Sequence, residues 1–248
     1  MERAELQARA EQGLSGADLS AANWDDLALD DASFTDCDFS GVTFAGTRLE
    51  EARFTNCRFA GCRFTHAVLE GARFEGCRFG TTPETAVRFA FCEMARAAFI
   101  RCDLSFAAIE RCGLFDASLA ECNLRGAKFV NADFSRVLGR RNVVTRATFQ
   151  ACNLELADLA RIELPGCVLT GSRLREADLG AAVLSGADLR DCDLGFATLN
   201  NARLDRADLR GADLAGLDVR LLGAMTGMVV SPDQLIDVVS GLGIDVKA

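Results

Sequence analysis

The chain is predicted to be all-β: a four-sided parallel β-helix of about ten coils, closed by short N- and C-terminal helical caps. Three observations predict it. They are a five-residue period that never slips, a 20-residue period laid over it, and a small-then-large alternation within each repeat. Every fifth residue from Leu19 to Val219 gives 41 positions, and 34 of them are Leu or Phe. The exceptions are Trp24, Glu84, Met94, Ile109, Gly139, Val144 and Val219.

Two residues before each large residue stands a small one, most often Ala or Cys, as at Ala17, Cys37, Ala52, Cys57, Cys62, Ala72 and Cys77. In an extended segment residues i−2 and i share a face and i−1 opposes them. Small and large residues therefore point inward, and the Asp, Arg or Asn between them meets water. The next two residues, such as Ser40-Gly41 or Arg210-Gly211, suit a corner. A helix would need a period of about 3.6, which this span lacks.

The 20-residue period comes from Leu29, Leu49 and Leu69, which interrupt a run of Phe. Four repeats per coil would stack these three in one column. Phe34, Phe54 and Phe74 would fill a second column, and Phe39, Phe59 and Phe79 a third. At roughly 4.8 Å per rung the rod is about 50 Å long. Each inward Leu or Phe contributes about 1.5–3 kcal/mol of burial.

All 11 cysteines occupy the i−2 position: Cys37, Cys57, Cys62, Cys77, Cys92, Cys102, Cys112, Cys122, Cys152, Cys167 and Cys192. Zinc or disulfide cysteines follow other spacings, so these read as small core residues.

Three segments are expected: a capping helix in residues 1–13, the β-helix over 14–220, and a cap over 221–248. Leu6 and several alanines give the first helix an apolar face, and Gly13 ends it. In the tail, Ser231, Pro232 and Asp233 start a helix, and Gly241 stops it. Residues 243–246 have the composition of a short strand. Leu221, Leu222, Met225, Met228, Leu235, Ile236 and Val239 make this tail apolar. That fits either an end cap or a symmetric homodimer interface.

The pattern weakens twice. Pro83 and Glu84 disturb residues 80–86, where a buried carboxylate would be costly and a bulge or loop is expected. Gly139 and Val144 disturb residues 135–146, which carry Arg136, Arg140, Arg141 and Arg146. Such interruptions are either binding loops or drift of the repeat.

The formal net charge is −9, which argues against direct binding to nucleic acid. No stretch is long and apolar enough for a membrane span, and residues 1–13 lack a secretory core, so a cytoplasmic location is expected. Charge is uneven along the chain. Residues 100–154 hold five acids and eight bases, and residues 155–219 hold twelve acids and seven bases. The 20-residue coil places Asp158, Asp178 and Asp218 on one face, Asp188 and Asp208 on the next, and Asp193 and Asp213 on another. These columns read as a solvated surface or as a local imitation of duplex DNA. Net charge over the rod is about 0.2 per Å, roughly a third of the density of DNA, so imitation is limited to this region.

Catalysis is not expected. No Cys–His pair, carboxylate dyad, phosphate loop or metal cluster stands outside the repeat, no cofactor is implied, and His66 falls in a corner.

The repeats Gly186-Ala187-Asp188-Leu189-Arg190 and Gly211-Ala212-Asp213-Leu214 identify the chain as a member of the pentapeptide-repeat superfamily. That resemblance implies a right-handed coil. A narrower resemblance is to the quinolone-resistance (Qnr) pentapeptide proteins and their mycobacterial relative. It is carried by Gly76-Cys77-Arg78-Phe79, Cys102-Asp103-Leu104-Ser105, Gly126-Ala127-Lys128-Phe129, Leu217-Asp218-Val219-Arg220 and Leu242-Gly243-Ile244. It implies a cytoplasmic homodimer, joined through its C-terminal cap, that binds DNA gyrase or topoisomerase IV as a DNA-like rod. Two projecting loops would contribute to protection from quinolones. The chain departs from that group in its extra N-terminal coils, its leader helix and a short first interruption. The alternative is a protein-interaction scaffold with another partner, for example one linked to secretion.

Overall fold

The computed structural model describes residues 3–139 and 142–244. The expected alternation is present: Phe34, Phe54 and Phe74 are buried between exposed Ser33, Arg53 or Arg73 and half-buried corner residues. Each coil has four sides, here faces A to D in chain order. Faces A and C form parallel sheets of seven and five short strands. Faces B and D are joined by one bridge per rung. Face B shows the length of the rod, in ten rungs: Asp18, Asp38, Arg58, Arg78, Asp103, Asn123, Asn153, Arg173, Asp193 and Asp213.

The core is a set of side-chain columns. Phe39, Phe59 and Phe79 stack face to face with centroids 4.9 Å apart. Phe34, Phe54, Phe74 and Phe99 form a second column, and Phe44, Phe64 and Phe89 a third. Neighbouring columns meet edge-on, as at Phe54 and Phe59 with 74° between rings. Beyond Phe149 the columns are almost entirely Leu.

The cysteines are buried and free. Their thiols do more than fill space. Cys57 donates to the Phe34 carbonyl, Cys77 to that of Phe54 and Cys192 to that of Leu169. Thr47 and Ser172 do the same from equivalent positions, toward Trp24 and Phe149. The i−2 position thus holds a small side chain, Ala most often, and most of those that carry a donor reach a carbonyl of the previous coil. Burial pushes the Cys62 and Cys192 thiols up to about 12, so both stay protonated at neutral pH.

The two interruptions leave the rod, so Glu84, Gly139 and Val144 do not take the inward positions that five-residue counting alone would give them. Residues 81–85, including Pro83 and Glu84, are exposed. The rung reforms because the Gly61 amide bonds to the Thr85 carbonyl at 2.6 Å and the Val87 amide to that of Phe79 at 2.9 Å. Gly80 makes this closure possible: its φ is +105°, and a Cβ there would lie 2.0 Å from the Thr85 carbonyl oxygen. The second excursion is an antiparallel hairpin, Ser135–Leu138 against Asn142–Thr145. The Arg146 amide closes its base on the Phe134 carbonyl. Each interruption keeps a multiple of five residues, so the register on either side is undisturbed. The loop lies at the corner between faces B and C, the hairpin at that between D and A.

Helix α1, Arg3–Glu11, covers the first coil with Leu6 and Ala10 buried. At the other end the bridges Arg203↔Ala224 and Asp208↔Val229 carry the ladder past residue 220 with one extra residue per coil. A 3-10 turn at Val219–Leu221 absorbs that extra residue. A second turn at Pro232–Gln234 leads into α2, Leu235–Ser240. Gln234 was not singled out by its sequence context, yet it is the buried centre of this cap. Its Nε2 donates to the Leu209 and Ala212 carbonyls at 2.8 and 2.7 Å, and its Oε1 accepts from the Ser231 amide and hydroxyl. No strand forms at Gly243 and Ile244; Asp245 and Val246 lie outside the described residues.

Candidate partner-binding surfaces

The carboxylate columns exist as rungs. Asp158 bridges to Asp178 on face C, Asp188 to Asp208 on face A, and Asp193 to Asp213 on face B. Their electrostatic states differ. Arg190 grips Asp188 with a fork, Nε to Oδ1 at 2.8 Å and Nη2 to Oδ2 at 2.6 Å. Arg210 grips Asp208 and Arg220 grips Asp218 in the same way. Hydrogen bonds from the Arg190 side chain hold the Asp188 carboxyl at about 2, and Arg210 and Arg220 lower those of Asp208 and Asp218. Arg175 spans Asp193 and Asp213 at 3.2 and 3.5 Å while lying over the Phe196 ring.

Asp158 and Asp178 are the exceptions. Each accepts a local amide, from Ala160 and Gly180, and neither has an ion pair with a described residue. Of the column carboxylates these two alone have no arginine partner among the described residues, although Lys128 stands on the rung next to Asp158.

A basic surface also lies within residues 34–99, where eight acids and eight bases balance in number. Arg58 and Arg78 occupy adjacent rungs of face B, and Arg63 and Arg88 adjacent rungs of face C. No described carboxylate forms an ion pair with any of the four. Between the two rows stands the 81–85 loop. At the opposite corner the hairpin carries exposed Val137, Leu138 and Val143. Arg136 and Arg146 both lie over the Phe115 ring at its base, 5.8 and 5.7 Å from the centroid. Arg140 and Arg141 lie outside the described residues.

The apolar tail divides. Leu222, Met228, Val230 and Val238 pack against the core, so Leu222 and Met228 belong at least in part to the cap. Val239 is half-buried. Leu221, Met225, Val229, Leu235 and Ile236 are exposed, the last at 60%.

The corner, column and cap geometry defines a class of protein. The chain matches the pentapeptide repeat region over residues 13–82 and pentapeptide repeats over residues 117–155, 152–191 and 187–221; it belongs to the pentapeptide-repeat family. No curated protein sequence matches it. Among solved structures it is similar in fold to QnrB1, a plasmid-mediated fluoroquinolone resistance protein. With a trypsin-treated form the TM-score is 0.65 at 24% identity, covering 95% of this chain and 97% of that one. With full-length QnrB1 the TM-score is 0.61 at 24% identity, covering 94% and 97%. No described helix is long and apolar enough to cross a membrane.

Proposed function

We propose that this chain is a non-catalytic, DNA-like rod that binds a type II topoisomerase, DNA gyrase or topoisomerase IV, and protects it from quinolone-like inhibitors. The observation that carries the reading is the spacing of carboxylates at the rung interval along a stiff rod, with Asp158 and Asp178 held by no described arginine. A groove built to hold duplex phosphates would receive such a surface electrostatically. The two excursions, at diagonal corners, would reach beyond that groove. Resemblance to the Qnr proteins supplies the choice of topoisomerase, and with it a homodimer joined through the exposed tail residues. An interaction scaffold with another partner is the second reading, favoured by the arginine forks that neutralise Asp188, Asp208 and Asp218.

The unequal columns give a test. D158K/D178K should weaken binding to purified gyrase by about tenfold or more, since each change places a cation where a like charge is expected. D188K/D208K makes the same change of charge on face A and is the positional control: a smaller loss there assigns the contact to face C. Gyrase affinity that is the same for D158K/D178K as for the unaltered protein would end the acidic-face mechanism.

A further inference from the structure

The 81–85 loop does not simply stand away from the rod. Together with face B it borders an open groove of about 550 Å³ lined by Asn56, Arg58, Arg78, Thr81, Thr82 and Thr85, with Gly76 and Gly80 beside them. A volume of this size suits a small ligand. Its donors are the guanidinium groups of Arg58 and Arg78, the Asn56 amide and the loop threonines, set among the small residues Cys57, Ala60 and two glycines.

Arg58 and Arg78 lie on neighbouring rungs, so their backbones are one strand spacing apart. Like charges set directly across a ladder destabilise it. Several arginines of the chain have an acid within reach, as Arg73 and Arg101 have Glu75, Arg96 has Glu70 and Arg190 has Asp188. Arg58 and Arg78, like Arg63 and Arg88, have no ion pair with a described residue, and of these four only Arg58 and Arg78 line the groove. The rungs on either side carry Asp38 and Asp103, but these carboxylates are held by Ser40, and by Ser105 and Asn123. Glu84, in the same loop, is exposed and does not line the groove; its own backbone and the Thr82 hydroxyl lower its pKa. Thr82 and Thr85 bond to each other, 3.0 Å between hydroxyl oxygens, while the Thr81 hydroxyl has no described partner.

We infer that this groove is a binding site for a small phosphorylated ligand, whose phosphoryl oxygens Arg58 and Arg78 hold from adjacent rungs while Thr81 donates from the loop. Guanidinium groups present several donors in a fixed plane, which suits a phosphoryl group with three oxygens. Such a ligand would also tie the loop to the rod. The inference is independent of the topoisomerase reading, because its test contains no topoisomerase.

The test is isothermal titration of the full chain with inorganic pyrophosphate. One saturable site per protomer is expected, weakened about tenfold for each guanidinium removed in R58Q and R78Q. Both residues are exposed, so the variants should melt like the unaltered protein. Deletion of residues 81–85 keeps the five-residue register and removes one wall; it should abolish the site too. R63Q/R88Q lie on the next face, outside the groove, and should bind pyrophosphate unchanged. Absence of a saturable site, full binding by R58Q/R78Q, or equal weakening by R63Q/R88Q would overturn the assignment. Citrate that binds as tightly as pyrophosphate would overturn the phosphoryl class in favour of a carboxylate ligand.

Discussion

Phe59→Ala should lower the unfolding free energy by about 3–5 kcal/mol, the largest effect expected of a single core change here. Phe59 is fully buried, stacked on Phe39 and Phe79 and touched edge-on by Phe54 and Phe74 at 5.3 and 5.7 Å. The walls around it are hydrogen-bonded on all four sides, so they cannot close over the missing ring. Coils of a solenoid depend on their neighbours, so the loss is felt both above and below. Phe59→Leu should cost clearly less, since Leu fills equivalent columns beyond Phe149. Urea denaturation of the three proteins measures this. A loss below about 1 kcal/mol for Phe59→Ala would show that the Phe column contributes little.

The second large effect concerns the tail. L235D/I236D should convert the proposed dimer to monomers, with a shift in the dimer constant on the order of a thousandfold. Both side chains are exposed in the single chain, Leu235 at 51%, so charge there leaves the protomer intact. The same change at Leu222 or Met228 would disturb the cap instead, because both pack against the core. Sedimentation velocity, with thermal melting as the control for folding, separates the two. A dimer that sediments unchanged would remove this interface.

Much of the architecture is legible in the sequence because each repeat is short and its physics is local. The i−2 and i positions give the inward face, and the Leu29, Leu49, Leu69 interval gives the four-sided coil. What strict periodicity hides is chain that leaves the rod in multiples of five. Residues 81–85 and the hairpin of Ser135–Leu138 and Asn142–Thr145 preserve the register, so Glu84, Gly139 and Val144 fall on inward positions by counting and on none in space. Gln234 escaped notice because its role depends on the carbonyls of Leu209 and Ala212, more than twenty residues away.

The charge map shows the same limit and a partial remedy. The carboxylate columns follow from the 20-residue coil. Their neutralisation was also readable: Asp188-Leu189-Arg190, Asp208-Leu209-Arg210 and Asp218-Val219-Arg220 place acid and base two residues apart on one side of a strand. Arg53-Phe54-Thr55, Arg58-Phe59-Ala60, Arg63-Phe64-Thr65, Arg78-Phe79-Gly80 and Arg88-Phe89-Ala90 lack that acid, and none of these five arginines has an ion pair with a described residue. Only the folded loop reveals that two of them share a groove.

The central claim is tested most directly by a DNA supercoiling assay with purified gyrase, titrating this protein with and without a fluoroquinolone. The proposed function predicts inhibition of supercoiling by the protein alone, or recovery of supercoiling in the presence of the drug. No effect in either arm at micromolar protein would contradict it and leave the scaffold reading in its place.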